Sequence, residues 1–180
     1  MIAPEFSYPV AVAEIGGKQR VDIDADGAAR ARIAERLNLI SLDDFHVRAD
    51  VRLIAGGVAV HGMVQAKLEQ RCAATDLPLP VDVEAPFDLQ YLRDAGTADS
   101  AEAEEVEISG DDCDVLPLED EAFDLGEAAV QSLSLALDPF PRHRDADRLL
   151  AEKGIHSEAQ AGPFATLAAL RKTQSVLTLG

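Results

Sequence analysis

Apolar and polar residues alternate over three long stretches in the first half of the chain. From Asp44 the apolar set is Phe45, Val47, Ala49, Val51 and Leu53, and from Val58 it is Val58, Val60, Gly62, Val64, Ala66 and Leu68. A period of two marks a half-buried β-strand, because successive side chains point to opposite faces. The spacing therefore predicts strands over 44–55, 58–70 and 81–92. Pro86 inside the third points to a bulge or an edge, since proline lacks the N–H that a ladder needs. Gly56-Gly57 reads as the hairpin turn between the first two. The stretch from Arg71 to Pro80, with two prolines, reads as the loop before the third.

Shorter strands are predicted at Phe6–Glu14, where Pro9 favours an edge, and at Val21–Asp24, with Gly16-Gly17 as a turn between them. Val106–Ser109 and Cys113–Leu118 fit two more. The period changes to three and four at Ala29, Ile33, Leu37 and Ile40, which predicts an amphipathic helix. Asp26 suits its N-cap and Asn38 its stop, with Arg30, Arg32 and Arg36 towards solvent. A second helix follows Asp124, with Leu125, Ala129, Leu133 and Leu137 in one stripe and Val130 and Ala136 beside it. Asp124 and Glu127 form a variant of the capping box, and Asp138-Pro139-Phe140-Pro141 ends the helix. Gly162-Pro163 opens a short third, with Phe164, Leu167 and Leu170 on its apolar face. The fold class is α+β: a mostly antiparallel, meandering, curved sheet with two to three packed helices.

The 180 residues suit a single domain over 1–180, and 47% hydrophobic content is enough for a core. At 4% aromatics and no Trp, that core is built from Leu, Val, Ile and Ala. No apolar run approaches the ~20 residues that cross a bilayer. The opening MIAPEFSYPV has neither the basic start nor the apolar block of a signal peptide, so the expectation is a cytoplasmic protein without membrane contact.

Charge changes the picture most. Of 33 acidic residues, fifteen lie between Asp94 and Asp138, where no Lys or Arg occurs. The net charge of −17 is thus concentrated in one region. Residues 94–104 read as a flexible acidic loop and 142–161, polar and of mixed charge, as a mobile segment. A negative patch repels a phosphate backbone and attracts basic proteins. The docking candidates are Asp99, Glu102, Glu104, Glu105, Glu107, Asp111, Asp112, Asp114, Glu119, Asp120 and Glu121. Solvated loop charge that keeps the protein dispersed is the plainer alternative.

Little in the chain carries catalytic or cofactor chemistry. It has no Gly-rich phosphate loop, no nucleophile elbow and no His-Glu-x-x-His pattern. His46 and His61 fall in strand patterns. Cys72 and Cys113 lie too far apart for a disulfide framework, and with His143 and His156 they lack the paired spacing of structural zinc sites. The expectation is no catalytic residue, no cofactor and no metal. Arg30, Arg32, Arg36, Arg48 and Arg52 offer a rival reading, a direct RNA-binding face, if the first helix lies beside the strand of Arg48 and Arg52. The net charge opposes it, because such binding rests on phosphate neutralisation. A hydrolase with an unrecognised carboxylate pair is a third reading, and nothing selects one pair.

Four segments in order resemble the YceD family, the large ribosomal RNA subunit accumulation proteins. They are Pro4-Glu-Phe-Ser-Tyr-Pro-Val; Cys72-Ala-Ala-Thr-Asp-Leu-Pro-Leu-Pro-Val with Pro86-Phe-Asp-Leu; the acidic loop with Phe123 to Arg142; and Gly162-Pro-Phe-Ala-Thr-Leu-Ala-Ala-Leu. Together they cover nearly the whole chain. Two cysteine pairs would suit a metal, but here the first is reduced to Cys72 plus Thr75, and the second appears as His143 and Asp147. That counts against zinc. Residue 131, where the resemblance leads one to expect Glu, is Gln. The resemblance implies a bacterial, non-enzymatic role in 23S rRNA accumulation and ribosome biogenesis. It also implies a setting beside a small basic large-subunit protein, and the partner expected is such a protein or the large-subunit precursor particle.

Overall fold

The computed structural model describes residues 4–93, 114–118 and 120–155. The alternating stretches become three long strands, β3 (Ser41–Ile54), β4 (Gly57–Arg71) and β5 (Pro78–Leu92). They extend beyond the predicted bounds because residues such as Ser41 and Leu79 continue the ladder without themselves being fully buried. With β2 (Lys18–Asp24) and β6 (Asp114–Pro117) they form a five-stranded sheet of order β2-β3-β4-β5-β6. The first four strands are an antiparallel meander, as expected, but β6 runs parallel to β5. A parallel neighbour needs a crossover of about a dozen residues or more, and the acidic stretch between Leu92 and Asp114 supplies that length. The class is α+β.

The chain forms two compact units. The first is Met1–Arg71 with Pro78–Pro139; the second is Cys72–Leu77 with the chain from Phe140 onward. In the first unit, α1 (Gly27–Arg36) packs on β3, and α2 (Leu125–Ala136) packs on β5 and β4. Phe45, Val47, Val51, Val58, Val60 and Val64 from the sheet join Ile33, Leu125, Val130 and Leu133 from the helices in one core. Leu53 continues the alternation but is 44% exposed, although its partner Val58 on β4 is buried.

Several local expectations are met in detail. The Asp26 carboxylate accepts the Ala29 N–H at 2.7 Å and caps α1. Asn38, the predicted stop, takes φ +54°, the left-handed conformation that ends a helix. Pro86 lies in the part of β5 that β6 does not cover, so it is an edge proline and no bulge forms there. Other expectations are corrected. The first strand is only Pro9–Ala11 (β1), followed by a single 3₁₀ turn at Val12–Glu14, and it pairs with β7 (Ala122–Asp124) apart from the main sheet. The hairpin turn is Ala55-Gly56, with Gly56 at φ +78° and Gly57 already paired to Ile54. Ala136, placed beside the apolar stripe of α2, is exposed. The second unit contains α3 (Ala146–Glu152). The predicted strand at Val106–Ser109 and the helix after Gly162 lie outside the described residues, as does the loop 94–104.

Gly62 in β4 has a specific reason to be glycine. A Cβ there would stand 2.3 Å from the Phe87 ring and 2.8 Å from the Arg48 carbonyl oxygen. The ring of Phe87 fills the space a side chain would occupy, and its own burial depends on that vacancy. Gly62→Val should therefore destabilise the fold by about 1–3 kcal/mol in urea melts, and Phe87→Leu added to it should restore part of the loss. Equal stability of Gly62→Val and the parent would show that the two do not compete for space.

Candidate functional site

The docking candidates divide between described and undescribed residues. Asp99, Glu102, Glu104, Glu105, Glu107, Asp111, Asp112 and Glu119 lie outside the described set. Asp114 is the first residue of β6, opposite Leu89 of β5, and is exposed. Asp120 and Glu121 form the turn from β6 to β7, with φ +50° and +55°. Glu121 is not a free docking charge. Its carboxylate accepts two hydrogen bonds from Arg93, at 2.7 and 2.5 Å, and its carbonyl oxygen accepts the Val12 N–H. The Arg93 guanidinium holds its carboxyl below the usual range. Arg93 directly follows β5 and Glu121 lies in the β6–β7 turn, so the pair ties the end of β5 to that turn.

The five arginines do not make one face. Arg48 alternates with buried Val47 and Ala49, so it projects from the sheet surface opposite the one on which α1 packs, and exposed Arg52 shares that parity. Arg48 pairs with Asp22 at 3.3 Å. On α1, Arg30 donates to the Ala25 carbonyl and Arg32 donates twice to the Glu5 carbonyl. Arg36 donates to Glu5 at 2.7 Å and, through both terminal nitrogens, to Glu127 at 2.9 and 2.8 Å. Glu127 therefore does not complete the capping box by reaching back to Asp124; it turns to Arg36 and accepts from Gln131. Gln131 thus supports the carboxylate that Arg36 grips. Arg36 in consequence keeps its charge more firmly than usual, and the Glu5 carboxyl is lowered by it.

The outward surface of the sheet carries charges of both signs in register. Arg20 faces Asp50, which faces His61, which faces Asp88. Three contacts on that surface are Arg20–Asp50 at 3.2 Å, His61–Asp88 at 3.2 Å and His46–Asp24 at 2.7 Å. Of these, Arg20–Asp50 sets opposite charges across neighbouring strands, and the other two set an imidazole beside a carboxylate. His46 and His61 are thus strand residues with carboxylate neighbours.

The second unit holds Cys72 in a turn. The N–H groups of Thr75 and Asp76 donate to the Cys72 carbonyl, and Asp76 takes φ +60°. The His143 N–H donates to Cys72 Sγ at 3.3 Å. That donation brings the thiol down to about 7, although it is only 1% exposed. Asp147 instead pairs with Arg142. Among the described residues no group of three or more His, Cys, Asp or Glu side chains is placed to hold a metal ion. No helix among them is long and apolar enough to cross a membrane. No family model, curated protein or solved structure matches the chain.

Two predictions follow from these contacts. Arg36→Ala should cost about 1 kcal/mol in denaturant melts, since a two-carboxylate grip exceeds an ordinary surface pair but remains near solvent. The Glu5 carboxyl sits below its ordinary 4.5 in the folded state, so its contribution is complete above pH 4.5 and lost as pH falls further. Melts of Arg36→Ala should therefore converge on the parent's at low pH; a constant gap down to pH 2 would contradict the assignment. Cys72 gives the second case. Its folded value near 7 against an ordinary 9.0 means that thiolate stabilisation grows from pH 7 to 9 and is lost below 7. Cys72→Ser should lose stability relative to the parent across that window. The native thiol should also resist a thiol reagent until the chain unfolds.

Proposed function

We propose that this protein is a non-enzymatic factor in biogenesis of the large ribosomal subunit, supporting 23S rRNA accumulation in the bacterial cytoplasm through protein contacts. The observation that carries the reading is the segregation of charge: fifteen carboxylates and no Lys or Arg from Asp94 to Asp138. The outward sheet surface, by contrast, pairs its charges across strands. The ordered resemblance to the YceD family names the process, and the charge names the class of partner, a basic ribosomal protein or the precursor particle that displays one.

The arrangement of the arginines favours protein contact over direct RNA binding. Three of them hold α1 to neighbouring backbone and carboxylates, and Arg48 and Arg52 lie on the other side of the sheet. Phosphate neutralisation needs a concentrated basic surface, and these five do not assemble one. The sheet and helices supply the frame, and β5 and β6, the strands that flank the acidic connection, pair with each other.

Depletion of the protein followed by sucrose-gradient profiling tests this. The expected result is a deficit of free and assembled large subunits with accumulation of precursor particles. An unchanged profile removes the reading. In lysate, the tagged chain should enrich basic large-subunit proteins at low salt and release them at high salt, because opposite charges near the surface are screened. Enrichment that is indifferent to salt would exclude the electrostatic mechanism.

A further inference from the structure

The strand order leaves one edge of the sheet partly uncovered. β6 pairs with β5 only from Leu89 to Leu92, so among the described residues the outer edge of β5 from Pro78 to Asp88 has no partner strand. The direction of its backbone groups follows from two hydrogen bonds. The Arg93 N–H donates back to Gly56 on the β4 side, and the Leu92 carbonyl accepts Leu118 on the outer side. Groups alternate along a strand, so the even-numbered residues face outwards. Pro78, Pro80 and Pro86 are all even, where a missing N–H costs the β4 ladder nothing. They also deprive an incoming strand of three donors, which is how natural edges resist indiscriminate pairing.

Beside this edge, where β6 begins and α2 runs past, lies an open groove of about 530 Å³. Its lining includes Glu84, Asp88 and Asp114 and no Lys or Arg. It also includes Val115, 52% exposed, and Leu135, 84% exposed. Leu135 lies off the buried stripe of α2, so the core does not need it. An exposed leucine alone is ordinary; two exposed apolar side chains sharing a groove with three carboxylates and no Lys or Arg form a composite surface, in which Asp88 also contacts His61 and Glu84 accepts from Gln65.

We propose that this groove receives an extended, basic segment of a protein partner. Apolar side chains of the segment seat against Val115 and Leu135 while its Lys or Arg residues meet Glu84, Asp88 and Asp114. Charge selects this occupant. A second copy of the chain brings its own net −17 and is repelled, and RNA is repelled by the same carboxylates. The edge prolines exclude a long added strand, so recognition rests on side chains over a short contact. The proposal depends on the assembly reading for the identity of the partner, and not for its chemistry.

The test uses the full chain and a short fluorescein-labelled peptide of alternating Lys and Leu, read by anisotropy at low salt. One control peptide carries Ser in place of Leu, and another carries Glu in place of Lys. The Lys/Leu peptide should bind about tenfold or more tightly than either control. Leu135→Lys, at a position already exposed, should weaken it by about tenfold, as should Glu84→Lys with Asp88→Lys. Asp43→Asn with Asp44→Asn, acidic positions outside the groove, should leave it unchanged, and melting curves confirm that each variant is folded. Equal binding of the Ser/Lys peptide, or full binding by Leu135→Lys, overturns the proposal. Leu135→Lys should also fail to restore the large-subunit profile of depleted cells. Full restoration overturns the groove and leaves the assembly reading intact. A normal profile on depletion removes the assembly reading, and the anisotropy measurements then decide the groove by themselves.

Discussion

The Asp124 carboxylate holds together the parts of the first unit that are most distant in sequence. One oxygen accepts the Tyr8 N–H at 2.8 Å and the Glu127 N–H at 3.1 Å; the other accepts the Ser7 hydroxyl at 2.5 Å. It thereby caps α2 and ties the N-terminal segment to that cap. The next backbone step continues the tie, as the Leu125 N–H donates to the Tyr8 carbonyl. Gly126 allows this closeness, because a Cβ there would meet the Phe6 carbonyl oxygen at 2.7 Å. The consequence is global. The apolar face of the sheet must be covered, and α2 supplies Leu125, Val130 and Leu133 to cover it. Its start is fixed where β1 and β7 pair.

Covering only one face divides the charges into two classes. On the outward surface, carboxylates and cations lie opposite one another in neighbouring strands and neutralise locally. Around α1, Arg36 joins the N-terminal segment to α2 through Glu5 and Glu127. The remaining imbalance lies in residues 94–138, which hold fifteen carboxylates and no Lys or Arg. A parallel strand requires a long connection, and β6 leaves the outer edge of β5 before Leu89 without a partner strand among the described residues.

Much of this was legible from residue spacing. The period of two marked β3, β4 and β5, since each has one face in the core and one in water. Asp26 and Asp124 were readable as caps because a carboxylate before an apolar helical stripe has few other local uses. Three things were not legible. The parallel direction of β6 depends on a long-range pairing that four residues cannot signal. The separation of Arg48 and Arg52 from the arginines of α1 depends on which sheet face the helix takes, and a local pattern does not state that. The groove is invisible for the same reason: Glu84, Val115 and Leu135 come from three elements far apart in sequence, and each alone looks like an unremarked surface residue.

The central claim is that the acidic side of this fold, at the β5 edge and α2, meets basic protein, and that the balanced outer surface of the sheet does not. Hydrogen–deuterium exchange of the full chain, with and without proteins extracted from the large ribosomal subunit, tests it most directly. The account predicts slowed exchange in residues 82–89, 114–118 and 128–136, with Lys18–Asp24 unchanged. Protection confined to β2 and the start of β3, or no protection anywhere, would contradict it.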